Sequence, residues 1–308
     1  MRIRRTMITA LSAALVLAGA TACGDDDGEG GDGGGTAVTI ASQNFPEAAL
    51  VTALYDVLLS ENGYDVDTKL VDTRDAYMAD FPGDVDIVPE YLSAIGDFLN
   101  TTANGEGAEP VTSNDATATL EAVTPIAQQE GITLLEPSEA NSQNAFFVTA
   151  EAAEADGLAA LSDLEGQTVT LAAAPDCEGR PDCAGGLSEV YGIDIEEILA
   201  TGFASPETYT AVTDGEAQLG LTGTIEPTVE EDGFVRLEDD RGIQPAQNLI
   251  PAVSEDFLAD NDDVEALLND LMGALDNDTL NELLGRVTLD REKAEDVADD
   301  FLSEEGLI

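Results

Sequence analysis

The sequence predicts an α/β fold in two lobes, and three observations carry that expectation. Short apolar, β-branched runs alternate with stretches of helical periodicity, the pattern of strands in parallel sheets covered on both faces by helices. Hydrophobic residues make up 43% of the 308 positions, so the chain can bury a substantial core. Against this, 64 Asp and Glu and only 11 Lys and Arg give a formal net charge of −53, which must sit on solvent-facing surfaces.

The elements follow in chain order. The first 22 residues carry Arg2, Arg4 and Arg5 but no acid, and the apolar run Met7 to Gly19 is too short to span a bilayer, so this segment reads as an export signal. It ends Ala20, Thr21, Ala22, Cys23, which is similar to a bacterial lipobox with Cys23 as the lipidated first residue. The other reading is an A-x-A cleavage site that leaves a free cysteine. Gly24 to Thr36 holds seven Gly, five acids and nothing apolar, which is the composition of a flexible tether. Gly28, Gly30 and Gly33 match G-x-G-x-x-G there, but no strand precedes them and no helix follows. A run resembling an EF-hand loop has Thr36 where a bidentate Glu belongs. Both matches belong to the tether.

Beyond it, Ala37 to Ala41 predicts a strand and Pro46 to Glu61 an amphipathic helix, with Pro at its start and Gly63 just past its end. Val66 to Leu70 and Asp86 to Val88 read as further strands. The alternation resumes with strands at Phe146 to Thr149, Thr168 to Ala172 and Leu219 to Thr222. Helices are expected at Leu158 to Asp163, Leu187 to Tyr191 and Tyr209 to Asp214, and Val264 to Leu307 reads as a helical tail. No internal repeat is evident.

Composition also removes function classes. A chain this acidic is not built to bind nucleic acid or anionic lipid electrostatically. It contains no histidine, so neither a Ser/His/Asp triad nor an HExxH zinc helix can be assembled. The expectation is therefore a protein that is not an enzyme and uses no cofactor. Two rivals stay open: a secreted enzyme using paired carboxylates, and a calcium-dependent surface protein suggested by stretches such as Asp260 to Asp263.

Five segments, in order, resemble one family. Ser42 to Glu47 (SQNFPE) is similar to an S-K/Q-N-F-x-E opening, and Asp84 to Tyr91 (DVDIVPEY) to G-x-I-D-x-x-P-E-Y. Pro175 to Cys183 (PDCEGRPDC), with Gly186, Leu187 and Val190 to Gly192 behind it, resembles a P-E-C/F-x-x-R element. Pro206 to Tyr209 with Asp214 to Glu216 forms the fourth segment, and Leu237 to Asp240 with Pro245 to Asn248 and Pro251 the fifth. Together they resemble the extracellular substrate-binding proteins of osmoprotectant ABC transporters, the family for glycine betaine, choline and related quaternary amines.

That resemblance implies a two-lobed, periplasmic-binding-protein-like fold of type II, each lobe a mainly parallel sheet flanked by helices, joined by two crossover strands near Asn141 to Phe147 and Gln244 to Val253. Lobe one is expected at 37–140 plus 250–308 and lobe two at 141–249. It further implies a monomer on the extracytoplasmic face of the membrane, held there only by lipid, that hands a quaternary amine or zwitterion to a permease and its ATPase. Tyr91 and Tyr209 stand in the motifs that supply cage walls, or are core rings with satisfied hydroxyls. Arg180 matches the arginine that clamps a ligand carboxylate, or forms an ion pair with Asp176 or Asp182. Gln43 and Asn44, at the exit of the first strand, could line the cleft mouth.

Departures from the family pattern bear on the ligand. Asn141 to Asn144 (NSQN) stands where betaine binders often read N-D-T-Y, so Asn144 puts an amide in place of a cage tyrosine; the chain also lacks Trp. The expected cage is lean and polar, open to choline, carnitine, ectoine or another zwitterion. Cys177 and Cys183 enclose a short loop and are exported to an oxidising compartment, so they are expected to pair, stabilising the fold by roughly 2 kcal/mol. The acidity itself suggests a high-salt habitat.

Overall fold

The computed structural model describes residues 35–308. The expected export signal, Cys23 and most of the tether lie outside the described residues. The chain starts with β1 (Thr36–Gln43), α1 (Pro46–Glu61), β2 (Tyr64–Val71), α2 (Arg74–Met78), β3 (Ile87–Tyr91), α3 (Leu92–Asn104), α4 (Ala116–Gln129) and β4 (Ile132–Leu134). It then crosses to β5 (Asn144–Thr149), α5 (Ala150–Asp156), β6 (Thr168–Ala173), α6 (Ala184–Glu189), β7 (Asp194–Ala200), α7 (Pro206–Thr213), β8 (Leu219–Gly223), α8 (Thr228–Glu231) and β9 (Phe234–Leu237). After a second crossing come β10 (Leu249–Ser254), α9 (Glu255–Asp260), α10 (Asp263–Gly273), α11 (Asn277–Thr288) and α12 (Ala294–Glu305).

Two five-stranded sheets result, in the orders β2-β1-β3-β10-β4 and β7-β6-β8-β5-β9. Each contains one strand, β10 or β5, that runs antiparallel to both its neighbours. The reason lies in the crossings. Strands β1, β3, β6 and β8 end toward the junction between the sheets, so a strand that enters its sheet from that junction must run the other way. The two crossing segments pair with each other: Asn141 and Asn248 form an antiparallel bridge, and Ser142 N–H donates to Gln247 O at 3.0 Å.

Period-2 alternation buries both faces of each sheet. In the first, Val38 and Ile40 face a core with α1, α10, α11 and α12, while Ala41 and Val88 face α3 and α4. In the second, Phe146 and Val148 point to one core, and Phe147 points to the other, beside Tyr209 and Phe234. Helix α1 matches the expected Pro46 to Glu61 because Pro46 fits the first helical position and Gly63, at φ 94°, adopts a backbone open to glycine.

The helix expected at Leu158 to Asp163 is a correction. The helix here is α5, which stops at Gly157 (φ 70°), and Leu161–Leu164 forms a 3₁₀ turn. Leu158, Leu161 and Leu164 are all buried at three-residue spacing, which imitates helical periodicity in sequence. Asp163 instead accepts the backbone N–H groups of Ala159 and Ala160, each at 2.9 Å. Among the described residues no helix is long and apolar enough to cross a membrane.

Gly220 in β8 offers a direct test of the packing. A Cβ there would lie 2.3 Å from the Phe147 ring, which is wedged between Tyr209 and Phe234 at centroid distances of 4.9 Å. Gly220→Ala should cost about 1–3 kcal/mol. A urea midpoint equal to that of the parent would show that the ring has room to move.

Candidate functional site

The site begins where β1 gives way to α1. Pro46 starts the helix, and the next residue, Glu47, stands in its first turn, where the helix dipole favours an acid. Its side chain is nearly buried, at 6% exposure. Tyr91, at the end of β3, donates its hydroxyl to Glu47 Oε1 at 2.6 Å, and Ser142, in the first crossing segment, donates to Oε2 at 3.0 Å. Burial pushes the Glu47 carboxyl above its usual range, and the two hydroxyl donors oppose that shift without cancelling it. The Tyr91 hydroxyl is also held well above its usual value, first by burial and then by the neighbouring Glu47 charge.

Tyr91 is oriented from behind. Glu90, 1% exposed, accepts Arg74 Nε and Nη2 at 2.7 and 3.0 Å, the Tyr77 hydroxyl, and the backbone N–H of Tyr91 at 3.0 Å. A bidentate guanidinium with two further donors satisfies a carboxylate that would be costly to bury alone.

Two loops of the second sheet complete the site. Thr201 to Ser205 arches from β7 to α7, pinned by Thr201 and Gly202 N–H groups donating to Ala173 O and by Ser205 Oγ donating to Thr201 O. At its apex Phe203 is 51% exposed, followed by Ala204 in the left-handed region (φ 44°). Such backbone strain in a non-glycine residue persists where surrounding bonds over-determine it. After β8, Glu226 accepts Thr228 Oγ1 at 3.2 Å; its carboxyl is raised mainly by burial, with the Thr228 bond and the nearby Arg236 charge acting the other way.

Between these groups lies a cavity of about 500 Å³. Phe45, Glu47, Ser142 and Asn144 line it with Phe203 and Glu226, and the last turns of α11 close it with Leu284, Thr288 and Leu289. No Lys or Arg is among the lining residues.

The residues expected from sequence are dispersed around this cavity. Asn144 lines it and donates to Asp182 Oδ2 at 2.9 Å. Tyr91 reaches it only through Glu47. Tyr209 packs against Phe147 and Phe234, with its hydroxyl 2.8 Å from Thr222 Oγ1, inside the second lobe's core. Arg180 forms ion pairs: Nε and Nη2 donate to Asp182 at 3.0 and 2.6 Å, and Nη1 donates to Asp176 at 3.0 Å. Gln43 and Asn44 end β1 outside the cavity lining, Asn44 N–H donating to Val71 O at 2.8 Å. Cys177 and Cys183 form a disulfide beneath the Arg180 loop, with Cα atoms 5.3 Å apart. Of the stretch Asp260 to Asp263, Asp263 accepts the Tyr64 hydroxyl at 2.7 Å and Asn261 Nδ2 donates to Phe257 O at 2.9 Å.

Most lining residues were not expected, among them Phe45, Glu47, Phe203 and Glu226. Phe45 and Glu47 are in the SQNFPE segment, yet which of its side chains turn inward depends on the helix start. Phe203 and Glu226 stand beside Gly202 and Pro227, a loop signal without a chemical one.

Two sheets of the same strand order, joined by paired crossings beside a cleft of carboxylates and aromatic rings, define a two-lobed solute-binding protein. Residues 36–304 match the family OpuAC, described as the substrate binding domain of an ABC-type glycine betaine transport system, and the chain belongs to that family. It is similar to the glycine-betaine-binding protein of Pseudomonas aeruginosa, 27% identical over 281 residues that cover 87% of this chain and 88% of the relative. Its fold resembles that of apo YehZ from Escherichia coli, with TM-score 0.73 and 23% identity over 88% of this chain and 99% of that one. A glycine betaine/carnitine/choline ABC transporter structure superposes with TM-score 0.75 at 18% identity, over the same shares of the two chains. The fold is thus of the two-lobed type II class.

The Glu47 triad predicts a pH signature. A carboxyl raised in the folded state stabilises the fold below its unfolded value, near 4.5, and that contribution is lost as pH rises through the folded value. Removing the Tyr91 donor raises the folded value further. Tyr91→Phe should therefore cost about 1.5–3 kcal/mol at neutral pH and less in acid. Urea titrations of parent and variant across pH 4 to 8 check this, and a constant difference across that range would refute it.

Proposed function

We propose that this chain is the extracytoplasmic solute-capturing component of an ABC importer, and that its cleft holds a quaternary ammonium osmoprotectant of the choline and glycine betaine class for delivery to a permease and its ATPase. In this reading 37–140 with 250–308 and 141–249 are the two bodies that close on the ligand, and lipid on Cys23 anchors the monomer to the membrane. The glycine-betaine-binding relative and the glycine betaine/carnitine/choline transporter neighbour support the class of ligand.

The observation that carries the reading is the pairing in one cavity of two partly desolvated carboxylates, Glu47 and Glu226, with two exposed rings, Phe45 (37%) and Phe203. A quaternary ammonium has no N–H to donate, so it is held by negative charge, π faces and dispersion, all of which this cavity supplies. Phe45 belongs to the first body and Phe203 to the second, so closure would bring both rings onto the methyl groups. A ligand carboxylate finds no basic side chain in the lining, because Arg180 is occupied by Asp176 and Asp182. We therefore favour choline over glycine betaine.

Calorimetry with choline, glycine betaine, carnitine, ectoine and proline tests this. Choline should bind most tightly. Phe203→Ala should weaken it by about 2 kcal/mol, roughly thirtyfold, while Phe203→Tyr, which keeps a π face, should cost far less. Arg180→Ala, with the disulfide intact and melting unchanged, should leave choline affinity within threefold. Failure of every quaternary amine to bind, or a choline affinity indifferent to Phe203→Ala, would overturn the assignment.

A further inference from the structure

Strand β8 carries two glycines with opposite consequences. Gly220 lies against the second lobe's core, and Gly223, the last residue of the strand, lines the cavity that holds Glu47 and Glu226. The φ of Gly223 is outside the left-handed region, so its backbone would accept a side chain. What the glycine provides is space. A Cβ at Gly223 would stand 3.3 Å from Cζ of Phe203, the tip of the exposed ring at the apex of the Thr201 to Ser205 arch. Its other neighbours, Ile225 O and Gln143 O, would be at ordinary contact distances of 3.6 and 3.8 Å. We propose that Gly223 is a positioning residue for the ligand, its missing side chain forming the seat that sets the Phe203 ring in the cleft. This role rests on the cavity being the quaternary ammonium site proposed above.

The main chain of the arch is fixed independently of the ring. Thr201 and Gly202 N–H groups donate to Ala173 O at 3.0 and 3.1 Å, Ala204 N–H donates to Leu221 O at 3.2 Å, and Thr208 Oγ1 donates to Gly202 O at 2.9 Å. These bonds hold Ala204 at φ 44°, and strain of that kind gathers at sites that grip ligands. The ring has no such support. Phe203 is half-exposed and belongs to none of the hydrophobic clusters formed by the described residues, so its direction is set by its own side-chain torsions and by the surface under its tip. A methyl group on that surface would come closer than the relaxed carbon–carbon separation of about 3.5–4.0 Å, and the ring would turn away.

Distance separates this glycine from Gly220. There a Cβ would lie 2.3 Å from a Phe147 ring wedged between Tyr209 and Phe234, so the fold bears the cost. At Gly223 the gap is wider and the ring opens on the cleft, so the ring yields and the fold is spared. The cost then falls on the ligand, because a cation is held only over the face of a ring and within about 6 Å of its centroid.

A double-mutant cycle read by choline calorimetry tests the seat. Gly223→Ala should weaken choline at least threefold with its melting temperature unchanged. With Phe203→Ala already made there is no ring to displace, and the same substitution should then change affinity less than twofold. A merely structural role for Gly223 would give the same loss in both backgrounds. If Gly223→Ala melts early, return of the melting temperature to that of Phe203→Ala in the double variant supports the seat, and no return overturns it. The proposal is also overturned if Gly223→Ala alone costs less than threefold, or if a loss of twofold or more persists without the ring. Either result leaves choline binding and its dependence on Phe203 standing, so the reading of the cavity survives. Choline binding that is absent, or indifferent to Phe203→Ala, would remove that reading and the seat with it.

Discussion

The structure depends on keeping one carboxylate, Glu47, out of water at the point where the first sheet, the first helix and the crossing segment meet. A buried carboxylate needs donors, and each of its oxygens has one from a different element, Tyr91 of β3 and Ser142 of the crossing. Those bonds fix the start of α1 against the end of β3 and hold the crossing to both. They also leave the group with a raised proton affinity and a face toward the cleft. Structural anchor and candidate ligand contact are thus one residue. A cation arriving in the cleft meets a charge whose desolvation was already met in folding, the condition under which an ionic contact is most effective.

Strand direction explains why the cleft sits there. With the parallel strands of both sheets ending toward the junction, their following loops and helix starts all point into the same space: Phe45 and Glu47 after β1, Tyr91 at the end of β3, Phe203 after β7 and Glu226 after β8. Two chain crossings join the sheets, and they are paired with each other through Asn141 and Asn248. Helix α11 adds a contact through Asn281 and Thr224 without adding a third chain crossing.

Much of the fold was legible because it rests on local signals. Pro46 and Gly63 mark α1, and alternation marks β1, β5, β6 and β8. The failures are equally physical. Three leucines spaced for one buried side of a 3₁₀ turn imitate a helix at Leu158 to Leu164. Strands β4 and β9, of three and four residues, are too short to show a period. The candidate site was harder. Motif resemblance led to Tyr91 and Arg180, but whether a side chain faces the cleft depends on its partners: Tyr91 turns to Glu47, and Arg180 to two aspartates two and four residues away. Phe203 owes its position to a loop whose pinning bonds come from β6 and its own backbone, and no local pattern announces that.

The scarcity of basic residues closes the argument about selectivity. Among the described arginines, Arg74 binds Glu90, Arg241 binds Glu165, and Arg286 joins α11 to Glu292 and Asp300 at 2.7 and 2.6 Å. Arg180 is taken by its two aspartates. Each of these four is committed to a structural joint, and no Lys or Arg stands in the lining of the cleft that holds Glu47 and Glu226. The net charge of −53 cannot by itself choose a ligand, because at physiological ionic strength exposed charges are screened beyond about 8 Å. Discrimination must come from groups within contact distance and partly withdrawn from water. In this chain those are two carboxylates and two phenylalanine rings, beside the hydroxyl and amide groups of Ser142, Asn144 and Thr228, an arrangement of the kind that suits a soft, methylated cation.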